Sequence, residues 1–211
     1  MKINIKKEIP CHILLIAAVI ISLWPVVFML SASLKELNQV FQSPLNPLPF
    51  PPTLENYQTV LSRFPIMQFV GNTFFIAFFV TLFKIITSLL AGFAFVYYRF
   101  KGREMLFNCM LMTFFIPVTV LIMPNYLFMS HLGLLNTPYG VILTELADGM
   151  GIFLMRQAMR SIPKALFESA VLEGAGPMCI LRTIVFPLVR PSVIAVGIMF
   201  FINSWNEYFW P

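Results

Sequence analysis

Apolar residues in this chain come in long blocks separated by short polar stretches. His12–Leu30 is an apolar run close to the ~20 residues a helix needs to cross the hydrocarbon of a bilayer. Further blocks of that kind occupy Phe69–Tyr98, Met105–Met129 and Val141–Met159, and another begins at Pro191 and runs to Ser204. The pattern predicts an all-α polytopic membrane protein with five transmembrane helices. Pro117 and Pro124 fall inside the third block and predict a bend there. Lys2, Lys6 and Lys7 precede the first block and Ser31-Ala32-Ser33 follows it, an order also seen in cleavable signal peptides. The length of the block and the spans after it favour an uncleaved first span. Residues 1–68 then form an N-terminal region, a span at about 12–30 followed by a segment with Pro44, Pro47, Pro49, Pro51 and Pro52. Residues 69–211 form the membrane core. Thr53 is placed to cap a short amphipathic helix running to Leu61.

Composition agrees with the block pattern. Hydrophobic residues make up 59% of the chain and charged residues only 11%, far from the quarter or so usual in a soluble domain. A net charge of +5 raises the question of nucleic acid, but position answers it better than sum. Leaving aside Lys84, which lies within the second block, 11 of 13 Lys and Arg residues fall before the first span, in the Arg99–Arg103 loop or in Arg156–Arg190. Only Lys35 and Arg63 fall on the other side. Basic loops stay cytoplasmic, so the N-terminus and the Ser161–Pro191 loop are expected there, with the Pro-rich segment external and lipid rather than nucleic acid as the surrounding medium.

Ser161–Pro191 reads S-I-P-K-A-L-F-E-S-A-V-L-E-G-A-G-P-M-C-I-L-R-T-I-V-F-P-L-V-R-P. Ser161 is a candidate N-cap and Pro163 suits a first helical turn. A short helix follows with apolar residues Ala165, Leu166, Phe167, Ala170, Val171 and Leu172. Gly174 can end it in a left-handed conformation. Pro177 can start the next helix, and Pro187 and Pro191 are expected to interrupt that one. The stretch resembles the E-A-A loop of ABC importer permeases, whose pattern is Glu-Ala-Ala, three residues, Gly, nine residues, Ile-x-Leu-Pro. Here the match is Glu168-Ser169-Ala170, Gly174 and Ile184-Val185-Phe186-Pro187, with Ser169, Phe186 and Glu173 as substitutions of similar size or charge.

The resemblance extends to Thr53-Leu54-Glu55-Asn56-Tyr57 and to Trp205-Asn206-Glu207-Tyr208-Phe209-Trp210-Pro211, which look like segments of carbohydrate-type permeases. Such permeases have a type I fold with six spans, the second segment preceding the last, so five spans imply a C-terminally truncated core. The resemblance implies a bacterial inner-membrane, multi-pass subunit that imports sugars or related polyols. Its partners would be a second permease subunit, a cytoplasmic ABC ATPase dimer and an extracytoplasmic solute-binding protein. The Ala165–Leu172 helix becomes a coupling helix, within a loop to which Lys164, Phe167, Glu168, Ser169, Ala170, Glu173, Gly174, Ile184 and Pro187 belong. Glu168 is then a candidate polar contact with the ATPase, Ala170 lets surfaces approach and Gly174 permits the turn. Val185, outside the helix, is expected to matter less. Phe153-Leu154-Met155-Arg156-Gln157 resembles a segment of permeases for other solutes such as glycerol phosphate.

Enzymatic chemistry is scarce. There is no G-x-x-x-x-G-K-[ST] phosphate loop, so ATP hydrolysis is expected in a partner, not in this chain. Cys11, Cys109 and Cys179 form no C-x-x-C and read as packing residues, and the two histidines lack metal-ligand spacing. No cofactor or metal is expected. Lys84 sits at costly depth and faces other helices or a water-filled path, or snorkels towards an interface. Glu145 and Asp148, three apart, are expected to share one face of the fourth span. They either line a translocation path or form a structural pair with Lys84 or the headgroups. A membrane hydrolase using both carboxylates with His131, or a scaffold without transport, are the readings from other classes.

Overall fold

The apolar blocks fold into helices, but not one helix per block. The computed structural model describes residues 5–42, 46 and 48–207, with side chains described from Pro10 onward. The basic N-terminus up to Lys7, Pro44, Pro47 and the Tyr208–Pro211 end of the last motif lie, in whole or in side chain, outside the described residues. The chain divides into two compact units, Met1–Gln68 and Phe69–Pro211.

In the first unit, α1 (Ile5–Ser33) contains a candidate span, Pro10–Ser33, whose apolar window is wholly exposed within the chain. Such a surface needs lipid or another protein around it. Two short helices follow, α2 (Leu37–Gln42) and α3 (Glu55–Arg63). The Thr53–Tyr57 motif ties α3 to the end of α1. The Asn56 amide donates to the Ser33 and Lys35 carbonyls at 3.0 and 2.7 Å, the Tyr57 hydroxyl lies 2.7 Å from that of Ser33, and the Thr53 N–H donates to the Leu34 carbonyl. Thr53 is not the helix cap: Leu54 takes that position, and the Thr53 hydroxyl accepts from the Glu55 N–H. Lys35 is not a solvated loop cation. It is 2% exposed, with its ammonium 5.6 Å above the Phe28 ring.

The second unit is built on α4 (Ile66–Tyr97) and on a continuous helical rod, Pro177–Trp205. The third apolar block bends by 99° between α5 with its 3-10 extension (Arg103–Met112, Thr113–Phe115) and α6 (Val118–His131). Pro117 marks the bend: it holds Ile116 in an extended conformation, which a helix cannot continue through. Pro124 lies inside α6. Among the described residues, three helices are therefore long and apolar enough to span, or four if the bent pair counts as one.

The fourth block is not a single helix. It divides into α7 (Pro138–Thr144) and α8 (Gly149–Arg160), with Glu145–Asp148 between them. Asp148 caps α8 by accepting from the Gly151 N–H at 2.8 Å. A capping carboxylate followed by two glycines favours a new helix start over continuation.

Pro187 and Pro191 do not interrupt the last rod. It consists of α10 (Pro177–Ile180), a π-helical turn (Leu181–Val185) and α11 (Phe186–Trp205). A helical Pro187 has no N–H for the Thr183 carbonyl and crowds it. The widened turn lies at that point and lets the rod continue. Phe93, Met155, Met159, Ile180, Val185, Val189 and Phe200 form part of one buried cluster joining α4, α8 and the rod. Close approach depends on glycine: a Cβ on Gly92 would come within 2.9 Å of the Met155 Cβ and 3.0 Å of the Arg156 backbone nitrogen. A Cβ on Gly151 would strike the Ser88 hydroxyl and the Phe200 ring. Small residues at helix crossings are the usual solution in membranes, where contact rather than hydrophobic exclusion holds helices together.

Candidate coupling loop and charge cluster

The predicted loop helix is α9 (Lys164–Leu172), and its start differs from expectation. Ser161 ends α8, with its hydroxyl donating to the Ala158 carbonyl, and Pro163 occupies the cap position of α9. Ile162 between them is buried in the core cluster, so the turn is anchored by burial instead of a hydroxyl cap. The other end is as expected. Gly174 has φ +82°, its N–H donates to the Val171 carbonyl at 3.0 Å, and the Ala175 N–H donates to the Ala170 carbonyl at 2.9 Å. These two bonds make a Schellman motif, which satisfies the final carbonyls only if the residue at Gly174 is left-handed.

The helix has two faces. Ala170 is 6% exposed and sits in the core cluster, and Phe167 packs against it, its ring 6.2 Å from that of Tyr97. Ala170 thus permits close approach to the chain's own core, not to a partner. Leu172 is 89% exposed, and Leu166, Val171, Lys164, Glu168, Ser169 and Glu173 are exposed with it. Ile184 is half-buried in the π turn against the core, and Pro187 is exposed in the first turn of α11. Val185, expected to be peripheral, is completely buried in the core cluster. Pro177 begins α10 as expected. The three cysteines are exposed instead of packed.

Lys84, Glu145 and Asp148 come together, though not through a shared helix face. Glu145 closes α7, Asp148 opens α8, and Lys84 reaches them from α4. Its ammonium bonds Glu145 and lies 3.8 Å from Asp148 and 5.6 Å from the Phe200 ring centre. One turn along, the Thr87 hydroxyl donates to the Leu146 carbonyl at 3.0 Å, satisfying backbone freed by the break. Pairing with Lys84 is one of the two alternatives that the sequence leaves open. The carboxylates remain about a third exposed, so facing a partner or a path is open to them as well. His131 ends α6 and, among the described residues, bonds neither carboxylate.

A second ion pair, between a buried arginine and an exposed glutamate, is not evident from the sequence pattern. Arg156, counted above among loop cations, is 4% exposed within α8. It donates to both oxygens of Glu104 at 2.7 Å, and its guanidinium lies 3.8 Å from the Phe107 ring centre. The available signal was an arginine inside the apolar run of the fourth block.

Comparison with known proteins gives this geometry its context. The family model for the binding-protein-dependent transport system inner membrane component matches residues 84–211, which include the charge cluster and the whole of α9. The chain belongs to this family. The permease is 34% identical over 210 residues to the sn-glycerol-3-phosphate transport system permease protein UgpE of Yersinia pestis, a match covering 97% of this chain and 75% of the relative. With UgpE of Salmonella typhi it shares 34% over 206 residues, covering 95% and 73%. Its fold is similar to that in a crystal structure of a bacterial ABC transporter involved in the import of the acidic polysaccharide alginate. The TM-score is 0.79 at 25% identity, over all of this chain and 74% of that one. The permease is thus an all-α, multi-pass subunit of an ABC importer and not itself an enzyme, since ATP hydrolysis belongs to a separate subunit. Membership also implies ATPase, second-permease and binding-protein partners.

Proposed function

We propose that this permease carries a small polyhydroxylated solute, a sugar, a polyol or a polyol phosphate such as that named for its UgpE relatives. A second permease subunit would complete the path, two cytoplasmic ATPase subunits would drive it, and an extracytoplasmic protein would deliver the solute. The single observation carrying the mechanism is the two-faced α9. Phe167 and Ala170 lock it to the core that joins α4, α8 and α11, while Leu172, Glu168 and their neighbours stand free on the other face. A helix held this way moves with the spans as a rigid body. ATP-driven closure of a partner gripping its free face would tilt α4, α8 and α11 between two access states.

In this reading the N-terminus and α9 are cytoplasmic, consistent with the basic residues of Arg99–Arg103 and Arg160–Arg190. Lys84, Glu145 and Asp148 stand at a helix break beside the path, where their polar groups can meet solute hydroxyls. The test is uptake by cells whose own carriers for the solutes are deleted, expressing the permease with its ATPase, second permease and binding protein. Accumulation of a labelled neutral sugar, polyol or sn-glycerol 3-phosphate is expected. No ATP-dependent uptake of any of the three would overturn the substrate class.

A further inference from the structure

Where α4 ends and α9 begins, a cavity of about 1150 Å³ opens between residues 95–99, the start of α5, the end of α8 and α9. Five cations line it, Arg99, Arg103, Arg156, Arg160 and Lys164, against two carboxylates, Glu104 and Glu168. Glu104 is already engaged by Arg156 and by Arg103, the latter at 3.1 Å. Among the described residues, the side chains of Arg99, Arg160 and Lys164 make no hydrogen bond or ion pair. They come from three different elements. Offsetting the helix dipole at the end of α8 accounts for Arg160 alone, not for Arg99 and Lys164 facing the same space.

The rest of the wall has a different character. Val96, Met159 and Ile162 give it an apolar side, with Tyr97 and Tyr98 alongside. Tyr97 is also the last residue of the candidate span α4, and tyrosines at span ends mark the depth of the lipid headgroups. A cavity with unpaired cations, an apolar wall and interfacial depth matches a phosphate group attached to a hydrocarbon chain.

We propose that this cavity binds a phosphate-bearing anion, an anionic phospholipid whose headgroup phosphate sits among Arg99, Arg160 and Lys164. The ligand would lie against Phe167, on the inner side of α9, and so bear on the coupling helix, whereas Glu168, Val171 and Leu172, which also line the cavity, belong to the face proposed above for the ATPase. The apolar wall favours the lipid over free phosphate.

The test is native mass spectrometry of the full chain released from micelles containing phosphatidylglycerol and phosphatidylcholine in equal amounts. Retention of phosphatidylglycerol over phosphatidylcholine is expected. Replacing Arg99, Arg160 and Lys164 together by Ala should reduce it roughly tenfold or more, since charge-assisted bonds are the strong class. Replacing Arg99 and Arg160 by Lys keeps the charges and should keep the lipid, which separates lost binding from lost folding. Arg182 and Arg190, which do not line the cavity, serve as the control pair, and their Ala variants should retain lipid. Inorganic phosphate added as competitor distinguishes the source: no displacement supports the lipid, and full displacement supports a free phosphate at the same cations. Equal retention by the triple variant would overturn the site. So would loss of ATPase association in that variant with lipid retention intact, because the cations would then be a protein-docking surface.

Discussion

Lys84 on α4 bonds Glu145 and stands 3.8 Å from Asp148, so one ammonium bridges the two ends of a helix break. Removing that ammonium leaves two half-buried carboxylates close together without their cation. Lys84→Met is therefore expected to lower stability by about 1–2 kcal/mol, between the values for exposed and for fully buried pairs. Glu145→Gln should cost less, because Asp148 remains for Lys84. Thermal unfolding of the detergent-solubilised chain checks the order, and equal melting of the two variants would contradict it.

Burial separates stability from coupling along the loop. Val185 is wholly enclosed, so Val185→Ala should leave a cavity and cost about 2 kcal/mol. Leu172 is almost fully exposed, so Leu172→Ala should leave the melting temperature nearly unchanged. In the assembled transporter the order should reverse, with Leu172→Ala weakening ATPase association more than Val185→Ala does. Melting curves and co-purification of the same two variants decide it.

The α4–α8 crossing tolerates no side chain at Gly92. Gly92→Leu is expected to push α8 away from α4 and destabilise by about 2 kcal/mol or more. Gly71, where a Cβ would meet nothing within 4 Å, is the matched control and should accept Ala freely. Comparable melting of Gly92→Leu and Gly71→Ala would contradict the close packing.

The sequence revealed the long helices and the end of α9, but not how the parts face. Spans were legible in α1, α4 and the last rod because an apolar run of sufficient length has few other uses. The turn at Gly174 was legible because glycine before Ala-Gly-Pro has a specific backbone role. The break at Glu145–Asp148 was hidden by continuous hydropathy on both sides, although Asp148 followed by Gly149 and Gly151 was a local cap signal. The facing of α9 could not be read, since its apolar residues cover most of its circumference. Only the packing of Phe167 and Ala170 selects the inner side. The π turn that absorbs Pro187 leaves no mark in composition, so the sequence alone predicts an interruption there.

Orientation has its own test. A single cysteine at Lys164, in a chain with Cys11, Cys109 and Cys179 replaced, should resist an impermeant thiol reagent applied to intact cells. All three native cysteines are exposed, so they must be removed for a clean reading. Labelling at position 164 from outside would reverse the orientation.

The most direct measurement concerns Gly174, because that residue ends the helix proposed to carry motion from the ATPase to the spans. Its φ of +82° costs a residue with a Cβ about 1–2 kcal/mol, and β-branching adds to the strain. A Cβ there would meet nothing within 4 Å, so Gly174→Val alters the backbone without a clash and should leave the spans inserted. The measurement is substrate-stimulated ATP turnover and uptake by Gly174→Val in vesicles reconstituted with the ATPase, second permease and binding protein. Near-normal assembly in the membrane with stimulation and uptake lost is the expected result. Full coupled transport by this variant would mean that α9 is only a connector between α8 and the last rod.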